Sequence, residues 1–535
     1  MKLSISPDFR HSMDWLHTWL GIGLGMVLFV IFWTGTLTVF DKEIDQWMKP
    51  ELRIPAQQDV ALDPFLPSIA AELDPAQGSE FWLSPPQPRV PAIRVFYEDH
   101  EGHGHEAMYD PRTGEQLDLT DSHAGSDFFF PFHYMLHIPG IAGYWIVGIA
   151  GFGMLVLTVS GLFIHRKIFQ DFFTFRPKRK PGRASLDFHN LTAMIALPFH
   201  ILIPLSGLFV FASTYFPWAL AVPYEGNLRG MNAEMAGYEE LAVIPSGQAL
   251  PTPLRVDRYM DRAAQAWALE EGASTSAADW VGLFNYGDEN AYILVERYFP
   301  NDRVSIGPHQ MTFDPNTEAM LDRFDPKPIH SATNWLEGLH WIQFDHWTLR
   351  WLYFLAGLSG CAMIGSGLVY WMQARIRRDA VNSTGVRILR AMTVGATAGI
   401  ICASAAFLIA NRVIPKVIEL NVHRHDLEIW VFFTVWLLSF GHASLRGKAA
   451  WREQSYAIAL LAAGGLMSNW LTTGDHVFAS LSNGLFAIAG VDCVLMIGVA
   501  VSLLAGFQLK RSAHTGQRSN GPIDLEDAIT SPAEG

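Results

Sequence analysis

Cysteine is almost missing from this chain. Its 535 residues hold three, Cys361, Cys402 and Cys493, each inside an apolar stretch. That excludes an external disulfide framework and, with no Cys-x-x-Cys-His sequence, a covalently attached haem. Charge is sparse too, at 17% of residues against 50% apolar. No soluble nicotinamide or flavin domain is visible. The glycine run that invites such a reading, Gly21-Ile22-Gly23-Leu24-Gly25, lies inside a hydrophobic stretch with no preceding strand and no later acidic partner, so it is not a phosphate loop. Acidic residues within apolar stretches are few, Asp475 and Asp492 being the nearest cases. They leave little from which to build a proton or ion relay.

What the chain has in quantity is apolar runs above the bilayer-spanning threshold of about 18 residues. Eight are read, at 15–40, 141–165, 190–216, 350–372, 390–412, 427–443, 455–472 and 484–508. The first is too long and too Trp-flanked for a cleavable signal peptide, and no small-residue cleavage site follows it. The net charge of −14 hides a division by loop. Arg166, Lys167, Arg176, Lys178, Arg179, Lys180 and Arg183 face the single acid Asp171, and Arg375, Arg377, Arg378, Arg387 and Arg390 form a second basic connection. The long loops 41–136 and 217–349 are acidic. The positive-inside rule puts the basic loops (166–189 among them) and both termini, 1–14 and 512–535, in the cytoplasm and the long loops outside.

The two long loops repeat one another. The first holds Arg94-Val95-Phe96-Tyr97 and then Tyr109-Asp110-Pro111-Arg112-Thr113. The second holds Tyr292-Ile293-Leu294-Val295 and then Phe313-Asp314-Pro315-Asn316-Thr317, with a helical pattern at 254–272. Alternating strands closed by an Asp-Pro-x-Thr turn predict a small α+β domain in each. The order helix, external domain, helix occurs twice by residue 373, which reads as duplication. Residues 390–508 form a separate four-helix module without such a domain.

Histidines follow the same repeat. His17 precedes Thr34-Gly35 as His189 precedes Ser206-Gly207, without a gap at an offset of 172 residues. His137 precedes Ser160-Gly161-Leu162, and His340 precedes Ser366-Gly367-Leu368. Paired imidazoles facing across a helix bundle are a way to hold b-type haem. We expect His17 with His189 at the cytoplasmic end and His137 with His340 at the external end, giving two haems b. Gly35 and Gly207 lie five turns beyond His17 and His189, about 27 Å along the helix, where a macrocycle needs a gap; close helix packing is the plain alternative. His200, between Pro198 and Pro204, is an alternative ligand, a propionate contact or a donor within a kinked helix. His165 is a reserve for the cytoplasmic haem. His100, His103 and His105 form a candidate transition-metal site or a solvated hairpin turn.

These helices and domains resemble the PepSY-associated transmembrane family of iron-regulated membrane proteins, over about residues 10–375. With the eight spans read above, the chain is expected to be a mainly α-helical polytopic membrane protein of about eight transmembrane helices with two external α+β PepSY-like domains, and the resemblance implies a bacterial inner membrane. It further implies a ferric-siderophore or ferric-chelate reductase, fed by quinol or a separate cytoplasmic reductase, with no nucleic-acid partner. Aromatics such as Phe128, Phe129, Phe130, Tyr134 and Trp335 would line the acceptor surface or pack the domains onto the bundle. Residues 390–508 exceed the family's four-helix core. The rival readings are a non-enzymatic PepSY binding or regulatory protein and a transporter component.

Overall fold

The computed structural model describes residues 6–518 apart from 56, 58, 73–79, 99–102, 165–175, 177–180, 219–221, 228–229, 231–242, 252, 272–277, 299–303, 379–382 and 420. The chain divides into two compact units, Met1–Gln373 with Phe478–Ala489, and Ala374–Val477 with Gly490–Gly535.

The first half of the larger unit opens with helix α1 (Pro7–Thr38). The Ser6 hydroxyl accepts from the Phe9 N–H at 3.2 Å and Pro7 stands at the first helical position, an arrangement that satisfies one orphan donor and removes another. Short helices α2 (Asp41–Met48) and α3 (Leu66–Glu72) follow, then strands β1 (Phe81–Ser84), β2 (Ile93–Glu98) and β3 (Gly104–Tyr109). A π-helical turn at Ala124–Phe129 leads into α4 (Phe130–Met135), which Leu136 ends in the left-handed region, and then into α5 (Ala142–Ile164).

The second half repeats the plan. Helices α6 (Pro181–Ile195) and α7 (Leu197–Val210) are followed by α8 (Val256–Glu271). Strands β4 (Trp280–Phe284), β5 (Tyr292–Arg297), β6 (His309–Phe313) and β7 (Met320–Phe324) lead to α9 (Pro328–Trp341) and α10 (Trp347–Arg378). The axes of 182–195 and 197–210 differ by 68°. Pro198 has no N–H to continue the α6 ladder, so the helix breaks at Ala196.

The strands of both halves form one antiparallel sheet in the order β3-β2-β1-β4-β5-β6-β7. β1 and β4 meet at its centre, with Trp82 opposite Gly282 and Leu83 opposite Val281. The two α+β domains expected from the sequence are therefore joined by strand pairing. Left apart, each would present β1 or β4 as an open edge of unpaired N–H and C=O groups, and pairing closes both. One apolar core serves the whole sheet, drawing Leu66 and Ile69 from α3, Tyr259 and Trp267 from α8, and Leu83, Val95, Val281 and Ile293 from the strands. Asp257 of α8 reaches back to the first half and accepts from the Leu62 and Asp63 N–H groups at 2.7 and 2.9 Å. Both Asp-Pro-x-Thr turns form as read: Asp110 accepts from the Arg112 N–H at 2.8 Å, and Asp314 from the Asn316 N–H at 2.8 Å and the Thr317 hydroxyl at 2.7 Å.

The smaller unit contains α11 (Thr384–Val394), a π turn at Gly395–Gly399, α12 (Ile400–Val413), α13 (Arg424–Arg446) and α14 (Ala450–Thr473). Most of α15 (Phe486–Arg518) follows in it. Buried Arg424 donates to Glu428 and to the carbonyls of Asn411, Ile414 and Pro415, closing the end of α12. Among the described residues, six helices are long and apolar enough to cross a membrane, or seven if the bent pair counts as one span. The stretch Arg424–Thr473 counts once in that number and holds both α13 and α14.

Candidate functional site

Four imidazoles meet in pairs within the helices of the larger unit, and each is seated in the same way. His17, on α1, places its Nδ1 3.0 Å from the Leu157 carbonyl and 3.2 Å from the Ser160 hydroxyl of α5. His189, on α6, places its Nδ1 2.8 Å from the Met363 carbonyl of α10. His133, on α4, does so 2.9 Å from the Ile31 carbonyl of α1. His340, on α9, has its Nδ1 3.1 Å from the Ser206 hydroxyl and bonds the Ile203 backbone of α7.

The contacted carbonyl stands four residues before a glycine every time: Leu157 before Gly161, Met363 before Gly367, Ile31 before Gly35, Ile203 before Gly207. A β-carbon at Gly35 or Gly207 would lie 2.6 or 2.7 Å from the ring of His133 or His340. At Gly161 and Gly367 it would lie 3.3 and 3.1 Å from His17 and His189. The hydroxyl just before each glycine bonds back along its own helix: Thr34 to Val30, Ser160 to Leu157, Ser206 to Leu202 and Ser366 to Ala362. The Thr/Ser-Gly pairs that repeat in the sequence are thus seats for imidazole rings. The glycine leaves room for the ring and the freed helix surface offers it an acceptor.

A carbonyl oxygen only accepts, so His17, His189 and His133 carry their hydrogen on Nδ1. The Ser206 hydroxyl gives its own hydrogen to Leu202 and accepts from His340 in turn. In this tautomer the Nε2 holds the lone pair, the form in which imidazole binds a metal while its other nitrogen is anchored. Burial holds the His133 imidazole below its ordinary pKa, and burial with His133 alongside pushes His340 down to about 3. Both shifts favour the neutral imidazole, the form able to bind a metal.

Each ring faces one from the other half. The His17 and His189 centroids are 6.2 Å apart with planes at 78°, and those of His133 and His340 are 6.0 Å apart at 29°. With a metal–nitrogen bond of about 2.0–2.1 Å and a ring centre about 1.1 Å behind the nitrogen, two imidazoles on opposite sides of one metal have centroids about 6.3 Å apart. Both pairs fit that spacing. A cavity of about 370 Å³ adjoins the first pair, lined mostly by apolar residues such as Leu157, Leu186, Met363 and Trp371. That is within the range of sites for a largely apolar small molecule.

His340 therefore meets His133, where the sequence suggested His137. His137 has a positive φ of 51°, stacks on Phe128 at 4.9 Å and donates from Nε2 to the Phe128 carbonyl at 2.8 Å. It closes the turn that ends α4, the helix of His133. A signal existed: counted to the following Ser-Gly pair, His340 stands 26 residues ahead, His133 27 and His137 23. Gly35 and Gly207 leave room for rings, where the sequence suggested room for a macrocycle.

His200 lines the same cavity as His17 and His189 and is 1% exposed. Its Nδ1 lies 3.3 Å from the Ala193 carbonyl beside the helix break, and the ring also meets the Ala356 backbone. His165 and His100 fall outside the described residues. His103 and His105 sit exposed at the edge strand β3, the latter stacked on Tyr97 at 5.3 Å. Phe128 and Phe129 are buried in packing, whereas Trp335 is 51% exposed.

Residues 15–374 match the family model described as the PepSY-associated TM region. An uncharacterized protein of Pseudomonas aeruginosa is 25% identical over 308 residues, covering 54% of this chain and 73% of that protein.

Proposed function

Because this chain belongs to the PepSY-associated transmembrane family, we propose that it is a haem b-dependent membrane oxidoreductase that reduces a ferric chelate of the siderophore class. The reading places it in a bacterial inner membrane, with both termini cytoplasmic and the sheet outside. The observation that carries it is the double pair of imidazoles, one ring from each half, with Nδ1 anchored and centroids 6.2 and 6.0 Å apart. Haem b, when bound, supplies a one-electron ferric–ferrous couple.

The chain's residues do the rest. His17 with His189 would hold one haem, and His133 with His340 a second. The helix carbonyls and the Ser206 hydroxyl fix ring position and raise ligand basicity. The mostly apolar lining of the first cavity would limit water around a bound haem and so tune its potential through burial. His17 and Gly35 are 18 residues apart on one helix, so the two sites lie about 27 Å, or five turns, apart along α1. An electron entering on one face of the membrane would leave on the other. Quinol or a separate cytoplasmic reductase is the donor class that suits a chain with these spans. Ferrous iron binds siderophore oxygens weakly, so reduction would release it.

The test is a reduced-minus-oxidised absorption spectrum of the purified protein. His133→Ala and His340→Ala should each remove the same half of the b-type signal, and His17→Ala and His189→Ala the other half. His137→Ala should keep both. A colourless preparation from haem-replete cells would sink the proposal.

A further inference from the structure

Resting on that reading, we propose that Arg350 is a positioning residue that sets the mutual orientation of the His133 and His340 rings. Its side chain is fully buried, yet it sits at the first turn of α10 and touches neither imidazole. It acts through helix ends. The guanidinium donates to the carbonyls of Ile342 and Phe344, which follow α9, and to that of Val39, which follows α1. Ile342 is the left-handed cap of α9, with φ of 57°, and lies two residues beyond His340. Val39 is the cap of α1 and lies four residues beyond Gly35, the seat of His133. One side chain therefore ties the end of the helix that carries His340 to the end of α1, whose Gly35 and Ile31 carbonyl seat His133, joining segments from different halves.

The tie is reinforced. Arg350 lies 3.7 Å from the Glu43 carboxylate and 5.4 Å over the face of Phe40. Arg89, in the loop after β1, grips Glu43 with two bonds of 2.9 and 2.8 Å, adds Asp41 at 2.8 Å, and donates to Gln343 of the second half at 2.9 Å. Burial opposes the charge on Arg89, but Glu43 and Asp41 outweigh it and raise its pKa, so Arg89 stays charged. A planar fork reaching carbonyls in fixed directions is what arginine supplies and lysine does only in part.

The two pairs differ in the angle between ring planes, 29° for His133 with His340 and 78° for His17 with His189. In a low-spin ferric centre with two imidazoles, near-parallel planes give a rhombic electron paramagnetic resonance signal and near-perpendicular planes a strongly anisotropic one. Each site therefore has its own spectroscopic mark. The experiment compares the full-length protein with its Arg350→Gln, Arg350→Lys and Gln343→Ala variants, all oxidised and in detergent.

The wild type should show one signal of each kind. Arg350→Gln should shift the rhombic signal and leave the anisotropic one in place, with Arg350→Lys partly restoring it. Gln343→Ala, which only detaches Arg89 from the second half, should move the same signal less, and it decides the matter should Arg350→Gln fail to fold. Folded variants with both signals unmoved would overturn the inference alone, as would equal shifts of both, which mean general loosening. A wild type with no low-spin signal would overturn the proposed function as well.

Discussion

A β-carbon at Gly35 or Gly207 would stand closer to an imidazole than real carbon contacts allow, 2.6 and 2.7 Å. Gly35→Ala and Gly207→Ala should therefore displace His133 or His340 and, on the proposed function, strip one haem, read as a fall in the haem-to-protein ratio from two towards one. Gly161→Ala and Gly367→Ala meet their rings at 3.3 and 3.1 Å and should weaken retention less. Ser206→Ala removes the acceptor for His340 and should weaken binding at that site about 10–100-fold; unchanged retention would show that the Ile203 carbonyl suffices. The Thr/Ser-Gly pairs were visible in the sequence as a repeat. Their purpose was not, because a glycine on one helix says nothing of which ring from another element will cover it. His133 and His137 lie one turn apart, and only the left-handed residues Leu136 and His137 turn the second away.

At the scale of elements, hydropathy placed the helices and the Asp-Pro-x-Thr turns placed the hairpins, since both signals are local. The joining of the hairpins into one sheet was not legible, because β1 and β4 are separated by almost two hundred residues and either could have stayed an edge. The pairing has a consequence for unfolding. Leu83, fully buried, faces Val95 on one side and Val281 on the other. Leu83→Ala should cost about 2–5 kcal/mol through the cavity it leaves, seen in thermal unfolding. Leu83→Pro, which removes a ladder donor from a central strand, should open both 41–136 and 217–349 to protease. Cleavage confined to 41–136 would mean that the two sheet halves fold independently.

For the molecule as a whole, stability couples to pH through Glu296 of β5. It is 6% exposed and accepts from the Gln310 amide at 2.8 Å. Burial raises its pKa above the ordinary 4.5. The folded state then holds the proton more tightly than the unfolded one, so stability falls as pH rises from that range through the folded value. Glu296→Gln keeps the bond to Gln310 without the buried charge. Its gain in melting temperature should grow from about pH 4 to about pH 8, and a constant difference would contradict this. Composition and periodicity by themselves determined a multi-pass membrane chain with a duplicated plan and brought His17 to the attention of His189, because apolar runs and repeat offsets are written along the chain. Tertiary structure alone decided that His133 faces His340, that the glycines seat rings and that the strands share one sheet. Each of those depends on which surfaces meet across long separations, and packing settles that only once the helices and strands are all in place.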